Sequence, residues 1–210
     1  MTYTLEQIGP HLIFYGPKAI AASYGREPEH RGNLGYCIIS ARVASQVLKR
    51  FGFDPKVVAV TARAYNLEAR RLYADLENCQ TDDERRMIAE AAIGRGAKIR
   101  EIDPEQDFKN GWPGHLVVVC ENHLIDLDVA QFGKPGYIEV PPAAAFMLGE
   151  GFWSGVPQNY ITEKEVQLQY QRYHPRKDYR ISPDWHVKKR WLPIVNAVEK
   201  AIRTSVDHLR

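Results

Sequence analysis

The residues whose types and spacing could do chemistry are Cys37, His115 and the two aspartates Asp126 and Asp128. Cys37 lies in RGNLGYCIISARVASQVLKRFGF, after Gly32 and Gly35, at the first turn of a helical pattern that stops at Gly52. A thiol in that position feels the positive end of the helix dipole, which favours the thiolate and so a nucleophile. The competing explanation is a small buried hydrophobe on a core helix, because free cysteine is among the most buried residue types. Two features favour chemistry: the first-turn position, and the glycine-containing approach that would let a substrate backbone come close. Cys79, among polar residues near a helix end, and Cys120, at the end of a strand, have neither.

The stretch WPGHLVVVCENHLIDLDVAQF reads as a β-hairpin turning at Glu121-Asn122, since Asn tolerates the left-handed backbone of a tight turn. Side chains alternate along a strand, so His115, Val117 and Val119 share one face, and Leu116, Val118 and Cys120 the other. With that turn, Val119 lies opposite Leu124, Val117 opposite Asp126 and His115 opposite Asp128. Both aspartates therefore share the face of His115, one directly across and one diagonal. A carboxylate within reach of the ring fixes its tautomer and stabilises imidazolium, as a base that activates a nucleophile requires. Ideal pairing alone favours Asp128. The same parity argues against a metal: His115, Cys120, His123, Asp126 and Asp128 form a cluster in one dimension, but Cys120 and His123 point away from the rest. Trp112 could wall the site. The Cys37 backbone N–H together with Asn33 could serve as an oxyanion hole.

These residues need elements to hold them. Residues 4–24 read as a short amphipathic helix broken near Gly16-Pro17, followed by a polar loop through Glu29 and Arg31. Residues 37–51 form the best helix, with Cys37, Ala41, Ala44, Leu48 and Phe51 on one stripe and Gly52 closing it. KVVAVTARAY alternates as a strand. Residues 66–95 are a charged helical pair inserted between strands, with Thr81 and Glu84 as a capping box. After the hairpin come a strand at YIEV, an apolar segment PPAAAFMLG, a strand at VQLQYQRY and a C-terminal amphipathic helix over 187–209. Helices first and then mostly antiparallel strands make the class α+β, in a single domain over 1–210.

Composition narrows the setting. A net charge of +2 is too near balance to imply nucleic acid. Arg172, Arg176, Lys177, Arg180, Lys188, Lys189 and Arg190 do concentrate late in the chain, as a solvated face or a surface for an acidic partner. Three cysteines make no paired framework, which fits a reduced, cytoplasmic setting. No basic-then-apolar leader and no run of about 18–20 apolar residues is present, so neither a signal peptide nor a membrane span is expected. No P-loop, dinucleotide fingerprint or G-x-S-x-G occurs.

The order helix-borne cysteine, histidine at a strand start, aspartate on the next strand resembles the transglutaminase-like branch of the papain-fold cysteine proteinase superfamily. GYCIISARVASQVLKRFGFDPKVVAV is similar to its cysteine helix and following strand. GHLVVVCENHLIDLDVAQF is similar to its histidine strand and to the "ID-x-x-x-x-QF" variant of small bacterial and phage-type members. The resemblance covers about a quarter of the chain. It implies a papain-like scaffold with Cys37 as nucleophile, His115 as base and Asp126 as the group orienting it. It also implies a peptidase, amidase or acyltransferase that works on a peptide, a protein or a small acyl donor. A covalent acyl-enzyme of that kind needs no cofactor. A fainter likeness to arylamine N-acetyltransferases rests on Arg31-Gly32 before the cysteine, but an extra stretch intervenes.

Overall fold

A computed structural model describes residues 3–25, 36–102, 114–133, 137–173 and 178–208. Among these residues six α-helices and seven strands run in the order α1 (Leu5–Ser23), α2 (Cys37–Arg50), β1 (Lys56–Tyr65), α3 (Leu67–Glu77), α4 (Asp82–Gly94), β2 (Ile99–Ile102), β3 (His115–Cys120), β4 (His123–Asp126), β5 (Ala144–Met147), β6 (Gln158–Ile161), β7 (Gln167–Arg172), α5 (Pro183–His186) and α6 (Lys188–Asp207). The strands form one antiparallel sheet in the order β5-β4-β3-β1-β7-β6, with β2 also paired to β1. The class is α+β.

Strand parity divides the core in two. Ala59, Leu116, Val118, Cys120, Ile125 and Leu127 face α1, α2 and α6, whose apolar stripes supply Leu12, Ile39, Val43, Leu48, Val195 and Ile202. On the opposite face Val58, Val60, Val117, Val119 and Leu124 pack with Leu168, Tyr170, Phe132 and Phe152. Covered on both sides, β3 reads as the unbroken apolar run LVVVC after its histidine. The hairpin register matches the alternation argument: Val119 pairs with Leu124 and Cys120 with His123, with Glu121 in the left-handed region (φ 51°) at the turn.

Two expectations fail for tertiary reasons. α1 is not broken at Gly16-Pro17 but runs unbroken through Pro10 and Pro17. Each proline removes one helical hydrogen bond, yet Ile8, Leu12 and Ile20 are wholly buried and hold the helix in place. Gly16 instead permits close approach: a Cβ there would stand 2.7 Å from Leu127 Cδ1. YIEV is not a strand, since only Ile138 makes an isolated bridge. Pro141 and Pro142 cannot donate to a ladder, and pairing with β4 resumes in the following apolar segment, where Ala144 meets Asp126.

The helical pair α3–α4 lies between β1 and β2, which pair with each other from Tyr65–Ile99 onward. Asn66 fastens its base, accepting from the backbone N–H groups of Ala69 and Lys98 and donating to the Gly96 carbonyl.

Candidate active site

Three elements meet at the start of β3. The α2 helix begins at Cys37, β3 begins at His115, and β4 ends at Asp126. Because β4 stops there, Asp128 is not a ladder residue opposite His115; it begins the 3-10 turn Val129–Phe132. Asp126 instead reaches diagonally to the histidine, with its Oδ2 2.7 Å from His115 Nε2. Its carboxylate also accepts from the Tyr170 hydroxyl at 2.8 Å and, through Oδ1, from the Asp128 backbone N–H at 2.8 Å. The other ring nitrogen, Nδ1, meets the side-chain amide of Gln131. Phe132 packs edge-on against the imidazole. His115 is 0% exposed.

This arrangement sets the tautomer. A carboxylate can only accept, so Nε2 carries the proton and donates to Asp126, and Nδ1 is the ring's acceptor, taken up by the Gln131 N–H. A base acting through this ring would therefore act through Nδ1.

Cys37 approaches the same strand from the other side of the sheet, where it belongs to the core between α2 and β3. Its Sγ donates to the carbonyl oxygen of Gly114, 3.6 Å away, one residue before the histidine. No hydrogen bond joins Sγ to the imidazole. Ionisation does not follow the dipole expectation. Burial pushes the Cys37 thiol well above its ordinary range, and the nearby Asp128 and Asp126 charges push the same way; the Leu116 and Ile38 backbone groups oppose them. Taking the thiol out of water outweighs the field of one helix end. The resting sulfur is a neutral thiol, not the thiolate that its helix position suggests.

The structure thus brings His115 and Asp126 into contact and sets Cys37 beside the histidine's backbone, with Asp128 buried nearby. Asn33 and Trp112 lie outside the described residues. Gln131 and Tyr170 are the partners that sequence reasoning missed. Gln131 stands in the QF of the quoted hairpin string, where its identity hinted at a role. Tyr170 is set only by the β1–β7 register, which pairs it with Ala62 on the histidine's face. Burial, followed by the Asp126 charge, raises the Tyr170 hydroxyl well above its usual range, so it remains a donor.

Cys79 donates to the Asp75 carbonyl on α3, and Cys120 lies buried on the face opposite His115, its thiol pushed up to about 11 by burial. Among the described residues no group of three or more His, Cys, Asp and Glu side chains is arranged to hold a metal ion, and no helix is long and apolar enough to cross a membrane. Comparisons of the chain with models of known families, with curated proteins and with solved structures found no match.

Proposed function

We propose that the protein is a Cys-His-Asp thiol enzyme that cleaves or transfers an amide or related acyl group on a papain-like, transglutaminase-like scaffold. The observation that carries this reading is the buried 2.7 Å His115–Asp126 contact beside a first-turn cysteine whose sulfur donates to the carbonyl of Gly114, the residue before the histidine. A buried imidazole–carboxylate pair, with one ring nitrogen held and the other accepting, is the form a general base takes.

The reaction begins when substrate enters and Gln131 leaves Nδ1. Sγ must also leave the Gly114 carbonyl and come within hydrogen-bond reach of Nδ1; the Cys37 thiol then gives its proton to Nδ1 as sulfur bonds to the acyl carbon. Asp126 stabilises the imidazolium, which then protonates the leaving amine as the C–N bond breaks. Water or an acceptor amine attacks the thioester, with the ring taking and returning a proton again. Peptides, proteins and small acyl donors all fit this chemistry.

The test is to incubate the protein with p-nitrophenyl acetate and locate the acyl group by mass spectrometry. The expected result is a thioester on Cys37, absent in Cys37→Ala and formed about 10²–10⁴-fold more slowly in His115→Ala. Acylation only at Cys79, or equal rates with and without His115, overturns the reading.

Two observations favour catalytic silence, and with it a second reading in which the module binds a protein partner through its basic C-terminal surface. In the resting state Nδ1 is occupied by Gln131 and the thiol is neutral. On that reading Cys37→Ala keeps the biological effect, and charge reversal at Lys188, Lys189 and Arg190 abolishes it.

A further inference from the structure

On the side of α2 that faces α5 and α6, Arg42 is held in an unusual way. Its guanidinium carbon lies 4.8 Å from the centre of the Trp185 ring and 4.6 Å from that of Trp191. Among the described residues neither a carboxylate nor any other acceptor bonds it. Its Nε is buried without a partner, and so is the indole Nε1 of Trp191, a residue only 4% exposed. Two adjacent buried N–H donors with no acceptor are rare in a folded protein, because water is lost and nothing replaces it. Burial alone lowers the Arg42 pKa, the signature of a partly desolvated cation without a counter-charge.

The surroundings add positive charge. Asp184 on α5 is engaged by Arg190 at 2.7 Å and makes no ion pair with Arg42. The first turn of α6 carries Lys188, Lys189 and Arg190, no acid and no side-chain cap. Cations at the positive end of a 20-residue helix repel its dipole. Lys188 stands three residues before Trp191, on the same side of α6. With Arg190 paired to Asp184, Lys188 and Lys189 supply the added positive charge at the start of the helix that carries Trp191.

We propose that Arg42, gripped by Trp185 and Trp191 beside the first turn of α6, binds an oxyanion: a carboxylate or phosphate group of a ligand. With the guanidinium carbon close to both indole rings and Nε closed off, the Nη end of the guanidinium is the part a ligand reaches, and its two N–H groups match two oxygens of one acceptor group. Lys188 and the α6 N-terminus supply the longer-range attraction. The site does not depend on Cys37 chemistry.

The experiment titrates the full chain with inorganic phosphate or with glutarate at constant ionic strength set by chloride. Tryptophan fluorescence and the Arg Nε–H signals in a nitrogen-15 NMR spectrum are followed together. A saturable shift of the Arg42 Nε–H signal is expected with at least one probe; tighter phosphate binding points to a phosphorylated ligand and tighter glutarate binding to a carboxylate-bearing one. Arg42→Lys keeps the charge but loses the fork, and affinity should fall about tenfold or more. Lys188→Gln should weaken binding by a smaller, salt-dependent factor. Unchanged affinity in Arg42→Lys, or a wild-type response no different from added chloride, overturns the proposal. Should Arg42→Lys fail to fold, the wild-type Nε–H signal decides by itself.

Discussion

Helices α2 and α4 are nearly equal in length, 14 and 13 residues, and are held by opposite means. α2 buries ten of its residues, from Cys37 to Leu48, yet its N-cap Tyr36 makes no side-chain cap and its first turn has no acid. α4 buries only Ala92, and its start is fully provided with local devices. Thr81 and Glu84 form a reciprocal capping box, Asp82, Asp83 and Glu84 fill the first turn, and Arg86 pairs with Asp83 at 2.8 Å. One helix exists because distant parts of the chain cover it; the other is written almost wholly in its own residues. The contrast explains the chemistry at Cys37. A residue at the start of a helix made by tertiary burial has its ionisation set by that burial, and the helix dipole is the smaller influence.

The largest test lies at the buried end. Asp126→Ala leaves the His115 Nε2–H, the Tyr170 hydroxyl and the Asp128 N–H without an acceptor. The expected loss is about 3–5 kcal/mol in urea unfolding, together with loss of Cys37 acylation. Next comes a matched pair. Leu48→Ala in α2, at a wholly buried side chain, should cost about 2–5 kcal/mol. Met87→Ala in α4, where the side chain is 67% exposed, should stay within about 0.5 kcal/mol. Equal losses would erase the distinction between the helices. Gly16→Ala places its new methyl against Leu127, between the two aspartates, and should destabilise by about 1–3 kcal/mol while slowing acylation.

The Cys37 thiol gives a pH test of the same region. Its pKa is raised in the folded state, so the native protein holds its proton where the unfolded chain has released it. The stabilisation is complete below the ordinary thiol range and is lost as pH rises through and above it. Between about pH 8 and 10 the wild type should therefore lose stability faster than Cys37→Ala, by at most about 1.4 kcal/mol per pH unit. Parallel curves would mean that the thiol keeps its ordinary ionisation, and a wild type that gains stability relative to Cys37→Ala as pH rises toward the ordinary thiol range would mean that the helix dipole governs it.

What could be read from the chain before the structure follows the same division. The hairpin register and the start of α2 were legible because alternation and the turn at Glu121-Asn122 are local signals. The capping box of α4 was legible for the same reason. The break assigned to Gly16-Pro17 was wrong because the burial of Ile8, Leu12 and Ile20 outweighs local propensity, and the strand at YIEV because pairing with β4 resumes past the two prolines. Choosing between Asp126 and Asp128 depended on where β4 stops, which parity does not say. Gln131 and Tyr170 reach the histidine network from 16 residues beyond His115 and 44 beyond Asp126, contacts that no local pattern encodes. The state of the Cys37 thiol belongs to this second group, since it depends on everything that packs around it.

The smallest effect tests the local end by itself. Thr81→Ala removes the side-chain acceptor for the Glu84 N–H, 3.2 Å away, and leaves the Glu84 carboxylate with its bonds to the backbone N–H groups of Gln80 and Thr81. Half of the box survives, so the loss should be about 1 kcal/mol or less. Because Ala92 is the one residue α4 buries, that loss should appear as faster hydrogen exchange within 82–94 and leave the amides of α2 and β3 unchanged. Acylation of Cys37 should proceed at the wild-type rate. A global loss of protection instead would mean that α4 shares its stability with the sheet, and the two helices would then differ in degree only.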